Sequence, residues 1–273
     1  MNTFFVLVRK HLGEARWVLG LSVVPLFALG WLFAFNTGRF LSDPVRQERF
    51  RRFSEERGQD AAELPGALQQ EMFIWILPPV ILPLLIWAIG RGSLAVAGEL
   101  ERGTLDLTLS RPISRSSYLF TQIVVGFLGL ILIAGGLVAG EIIGNIVHKV
   151  PGTPSLWVWF RPWANFVALG FAIFGYTLLA SSVDVVRWRA MTFGAIVTVL
   201  SGMTQALANL EVLKPYRKTI ENISVFKRYD PIRAATTGKD LGFDVGVLFA
   251  IGGVCALLGL IFFSRRDLPS SAG

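Results

Sequence analysis

The residues able to do chemistry in this chain gather in one place. The stretch Glu99-Leu-Glu-Arg-Gly-Thr-Leu-Asp-Leu-Thr-Leu-Ser-Arg-Pro-Ile-Ser-Arg115 mixes acids, arginines and hydroxyls between two long apolar runs. It is too charged to cross a bilayer, and Pro112 interrupts it. Gly103-Thr104 can end or start a helix, and Leu105 and Leu109 share a helix face. Ser110-Arg111-Pro112, followed by Ser114 and Arg115, reads as a turn that caps the next helix. The chemistry this predicts is recognition: a short amphipathic element at a membrane surface, suited to docking into a groove on a soluble partner.

Other reactive groups are sparse. Zinc-dependent proteolysis needs clustered histidines, and only His11 and His148 are present, without His-Glu-x-x-His. There is no Gly-x-Ser-x-Gly for a serine nucleophile. The nearest approach to a phosphate-binding loop is Gly238-Lys239. It has Arg233 where the first glycine belongs and Asp240 where the magnesium-binding hydroxyl belongs, so no nucleotide site is expected. Cys255 is the single cysteine, which excludes an intrachain disulfide. Three features inside apolar runs are pathway candidates. Glu141 is ionisable within a span, near its far end and expected to be partly hydrated. Pro78, Pro79 and Pro83 remove backbone donors at membrane depth, marking either a substrate-lining segment or a static kink. Ser201, Gln205 and Asn209 recur every four residues, either along a pathway or as interhelical hydrogen bonders.

The elements that hold these residues are membrane helices. The 273-residue chain is 53% hydrophobic and 16% charged, with mean hydropathy +0.56; soluble domains carry about 25% charged residues. Apolar blocks near 17–35, 72–97, 118–147, 163–183, 190–210 and 244–263 each have bilayer-crossing length. They do not alternate as barrel strands do. We expect an all-α polytopic membrane protein, one domain over 1–273 with six transmembrane helices. An interfacial helix over 1–16 precedes them, with Phe4, Val8, Leu12 and Ala15 on one face. Ser42-Asp43-Pro44 predicts a capped helix in the first long loop. The net charge of +7 fits loops facing anionic lipid, and nucleic acid is not expected as a partner. Lysine and arginine densities on the two sides are similar; Arg187, Arg189, Arg265 and Arg266 favour termini inside.

At the central stretch the chain resembles the permease subunits of type 2 ATP-binding-cassette transporters. The residues that carry the resemblance are Glu99-x-x-x-Gly103-Thr104-Leu105 and Pro112-Ile113-Ser114-Arg115, followed by Tyr118-Leu119. Ser181-Ser182 before Arg187 and the closing Phe263-Ser-Arg-Arg-Asp-Leu268 extend it over the whole chain. A lysine common in the family a few residues on is replaced here by Thr121-Gln122. The resemblance implies that the stretch between spans two and three is a cytoplasmic coupling helix seated in an ATPase cleft. Glu99, Glu101, Gly103, Thr104, Leu105, Arg111, Pro112, Ser114 and Arg115 would make that coupling. It implies an exporting permease in the cell's inner (cytoplasmic) membrane with both termini cytoplasmic. Its partners would be an ABC ATPase subunit and a second permease copy or homologue. No cofactor is expected in this chain and it is not expected to be an enzyme by itself; ATP and Mg would be held by the ATPase. The competing reading is an ATP-independent secondary transporter, or a membrane scaffold or assembly subunit.

Overall fold

The computed structural model describes residues 3–49, 71–105, 113–151, 154–208 and 224–266. Helices account for nearly all of them: α1 (Thr3–Ser42), α2 (Pro78–Ser93), α3 (Arg115–His148), α4 (Leu156–Val183), α5 (Arg187–Leu207), α6 (Pro231–Thr236) and α7 (Leu241–Arg265). Among the described residues there is no strand. Six helices are long and apolar enough to cross a membrane, and all but the short α6 are among them. The chain is thus an all-α polytopic membrane protein.

Helix α4 is the axis of the bundle. Its most apolar stretch is 78% buried inside the protein, against 22% for α5 and for α7. The outer helices turn apolar side chains such as Leu132, Ile196, Val199 and Leu257 outward, as lipid-facing helices do. Glycine lets the backbones meet. A Cβ added to Gly140 of α3 would stand 2.1 Å from the Phe27 carbonyl oxygen of α1, and one on Gly175 of α4 would stand 2.4 Å from the Gly252 oxygen of α7. The four-residue glycine spacing at 136, 140 and 144 is therefore the seam between α1 and α3.

Several details differ from the sequence reading. Residues 3–16 do not form a separate surface helix; they run without a break into the first span as one helix to Ser42, passing Pro25. Nothing between Thr3 and Trp17 ends a helix, and Leu7, His11 and Ala15 are buried against the bundle. Pro78 and Pro79 do not break a span. They are its first two residues, after Leu77 as cap, where proline costs no hydrogen bond. Only Pro83 lies inside α2. The last span starts earlier than the apolar block at 244: Leu241–Asp244 forms the first turn of α7, with Asp244 buried and paired with Arg228 (3.0 Å) and Arg233 (2.5 Å). Asp43 caps the helical residues 44–49 as its sequence predicts, accepting from the amides of Val45 and Arg46.

Candidate functional site

The described parts of the stretch, 99–105 and 113–115, sit at the end of the bundle that carries the start of α1 and the end of α7. Helix α2 reaches it through a wide π-turn, Leu94–Gly98, and one further turn, Glu99–Glu101. A π-turn inserts a residue and leaves backbone amides out of register. Here Ser181 of α4 takes them up. Its Oγ accepts from the amides of Val96 (3.2 Å) and Ala97 (2.9 Å) and donates to the Ser93 carbonyl (3.0 Å).

Beyond the π-turn, the Thr104 hydroxyl donates to the Glu99 carboxylate across the turn. Gly103 holds φ +66, the left-handed conformation that any side chain with a Cβ resists. Leu105 is buried in the core. Glu101 and Arg102 face outward, and Glu101 accepts the first helical amide of α5, that of Arg187, at 2.8 Å. Where the described chain resumes, Ser114 caps α3 by accepting from the Ser117 amide (3.2 Å). Arg115 donates to the carbonyl of Arg266. Arg266 in turn donates to the carbonyls of Ser182 (3.3 Å) and Asp184 (2.9 Å). Arg111 and Pro112 lie outside the described residues. The others are brought to this end and tied to α4, α5 and α7.

Beneath the turn runs a buried polar chain that the sequence reading missed. Arg91 Nη2 donates to Gln122 Oε1 at 2.8 Å. Gln122 Nε2 reaches the Tyr118 hydroxyl at 3.0 Å and His11 Nε2 at 3.2 Å. Tyr118 donates to the Ala95 carbonyl inside the π-turn (2.9 Å). His11 Nδ1 faces Glu14 at 3.1 Å, so the network assigns its proton to Nδ1 and leaves Nε2 to accept. Gln122 stood out in the sequence only as a departure from the family lysine. A cavity of about 570 Å³ opens beside this chain, lined in part by Lys10, Glu14, Arg91, Glu99, Arg102 and Arg187. Its charged lining favours a polar occupant.

The pathway candidates fall at or toward the other end. Glu141, expected to be partly hydrated, is instead fully buried, because Gly140 and Gly144 bring α1 down over it. Beside it stands Glu71, also fully buried, which the loop composition did not single out. Asn145 is the polar neighbour of Glu71 and the Trp75 indole that of Glu141; each is turned toward its carboxyl but falls short of full hydrogen-bond geometry. Burial pushes the Glu71 carboxyl up to about 7, with Asn145 opposing in part. Ser201 is an interhelical bonder: it accepts from the Val225 amide (2.7 Å) through Oγ, and Ser224 donates to its carbonyl (2.7 Å). Gln205 is half-buried one turn on, and Asn209 lies outside the described residues. Pro78, Pro79 and Pro83 are at the start of α2, at this same end.

No group of three His, Cys, Asp or Glu able to hold a metal occurs among the described residues. A family model described as ABC-2 family transporter protein matches residues 14–268. No curated protein sequence matches the chain.

Proposed function

Because this chain belongs to the ABC-2 family of transporter proteins, we propose that it is the permease subunit of an ATP-driven exporter, coupled to a separate ATPase chain through residues 99–115. The observation that supports this most is the wiring of the Glu99–Leu105 turn. Its backbone continues α2, its Glu101 holds the start of α5, and Ser181 of α4 is bonded into the π-turn just before it. A partner that pushes on this turn pushes on three membrane helices at once. A conformational change can be driven only by a ligand that contacts the two states differently; an ATPase that closes on ATP supplies such a difference at this surface.

In this reading the ATPase holds ATP and Mg, and this chain makes no contact with nucleotide. Both termini and the Glu99 end face the cytoplasm, and two permease copies face two ATPases. The exposed Glu101 and Arg102 give the docking element charge, while Leu105 and the Glu99–Thr104 bond hold its shape.

Affinity purification of the full-length chain from its native membranes in mild detergent tests the reading. Wild type is expected to bring down an ATPase, and a variant with Arg102→Glu and Gly103→Trp, which alters only exposed positions, to lose it. Recovery of other membrane complexes without any ATPase would overturn the coupling and return an ATP-independent transporter or a scaffold as the better reading.

A further inference from the structure

The chamber at the Glu71 end makes a demand that its own residues do not meet. Glu71 and Glu141 are both at 0% exposure, repel each other, and have no hydrogen-bond partner among the described residues. Beside them Asn145, 1% exposed, and Trp75, at 0%, turn toward Glu71 and Glu141, but their amide and indole groups fall short of full hydrogen-bond geometry. Four buried polar side chains thus converge without satisfying one another. Each such group costs free energy unless something pairs with it.

Among the described residues, the surrounding elements offer no positive charge. From α1 come Gly30, against Glu141, and Trp31. Arg39 of that helix is stacked on Phe35. On α3 itself His148 packs edge-on against Trp31 and against Phe35. From α4, Phe166 meets the Trp75 ring, while Asn165 is spent on the Arg228 carbonyl and the Asp230 amide. Tyr229 donates its proton to the Trp75 carbonyl at 2.6 Å. Arg228 and Arg233 are committed to Asp244. Two neighbouring carboxyls in a dry site cannot both be ionised without a counter-charge.

We propose that Glu71 and Glu141 form a binding site for one monovalent cation, a proton or an alkali metal ion, oriented by Asn145 and Trp75. A divalent ion would require both carboxyls to be ionised, which burial of the two side by side opposes; a single positive charge requires only one. The glycine seam of α1 on α3 seals the site. Any rearrangement that slides these helices apart would hydrate the pair and release the cation, so occupancy becomes a property of the access state. This inference stands on the chamber alone and does not depend on ATPase coupling.

The test uses the full-length protein in nanodiscs of neutral lipid. Thermal unfolding is recorded at about pH 6 and about pH 8 in choline, sodium or potassium chloride. Wild type is compared with Glu71→Gln, Glu141→Gln and the double variant. Wild type in choline is expected to lose Tm as pH rises, while the double variant stays flat. Restoration of wild-type Tm at pH 8 by sodium or potassium identifies the alkali ion. A protonated-carboxyl infrared band in wild type at neutral pH, with no salt effect, identifies the proton; this band needs no variant to fold. Parallel pH and salt profiles for wild type and the double variant, with no such band, would overturn the proposal.

Discussion

At the Glu99 end, Arg91, Gln122, Tyr118 and His11 are all buried, and each closes a hydrogen bond on another or on backbone. At the Glu71 end, Glu71, Glu141, Asn145 and Trp75 are equally buried and close none with one another. The same fold thus supports two kinds of interior polarity. A bonded network favours one arrangement of the helices that meet in it, because a slip would strip the buried Arg91 guanidinium, whose Nε already lacks a partner, of its bond to Gln122. An unsatisfied cluster stores a cost that a small ligand, or a change of arrangement, can relieve. A lever belongs where the structure is stiff, and a chamber that changes occupancy belongs where it is not.

The largest break in this contrast should come from the seam that keeps the Glu71 end dry. A side chain at Gly140 would overlap the Phe27 carbonyl, with its Cβ 2.1 Å from the oxygen. Backbone cannot yield as a flexible side chain can, so Gly140→Val is expected to cost about 3 kcal/mol or more. It should show as a steep loss of Tm or of folded yield. Gly135, on the same helix, has open space at its Cβ. Gly135→Ala is therefore expected to keep stability, read from Tm, within about 1 kcal/mol of wild type, which separates a packing effect from general intolerance of substitution in α3.

The Glu99 end is broken through Gln122. Gln122→Leu strands the Arg91 guanidinium, and a hydrogen bond to a charged group contributes about 1.5–3 kcal/mol. The converse holds at the other end: Glu141→Gln removes a carboxyl that nothing pairs, and stability is expected to stay level or rise. Opposite signs for these two buried polar substitutions, measured as Tm in one buffer near neutral pH, are the sharpest check on the contrast. Destabilisation of similar size at both ends in choline buffer would mean that protein groups, rather than a bound cation, satisfy the Glu71 cluster. Ser181→Ala should cost less, about 1–2 kcal/mol, since water is excluded but the amides it serves are uncharged.

How much of this was legible from sequence follows the same division. Six apolar blocks made the membrane fold readable, because hydropathy over a bilayer-length window is a local property. The Glu99–Arg115 stretch was readable because it is contiguous, and Ser114 caps α3 as its neighbours predict. The polar clusters were not readable as clusters. Arg91, Gln122 and His11 come from three helices, and Glu71 and Asn145 from a loop end and a span. Pairing at such separation is set by which helices pack. Glu141 was noticed for its charge, yet its depth was misjudged because the glycines that cover it act through α1. Pro78 and Pro79 were misread for the opposite reason: their meaning depends on where the helix begins, and Leu77 before them turns a break into a start.

The effect expected at Gly103 is among the smaller ones, and it separates shape from strength. Its φ of +66 makes any Cβ there strained, yet a Cβ would meet nothing within 4 Å. The cost of substitution is therefore conformational alone. Gly103→Ala is expected to lose about 1–2 kcal/mol, and Gly103→Asn less, because asparagine tolerates the left-handed region. A stability loss of that order in Tm, graded Ala above Asn, would show that the turn keeps this backbone in the membrane. If ATPase recovery in the affinity purification follows the same order while both variants remain folded, the docking surface depends on the turn's geometry. Equal recovery by both would instead assign the contact to the side chains of Glu101 and Arg102, since those project from the turn whatever residue stands at 103.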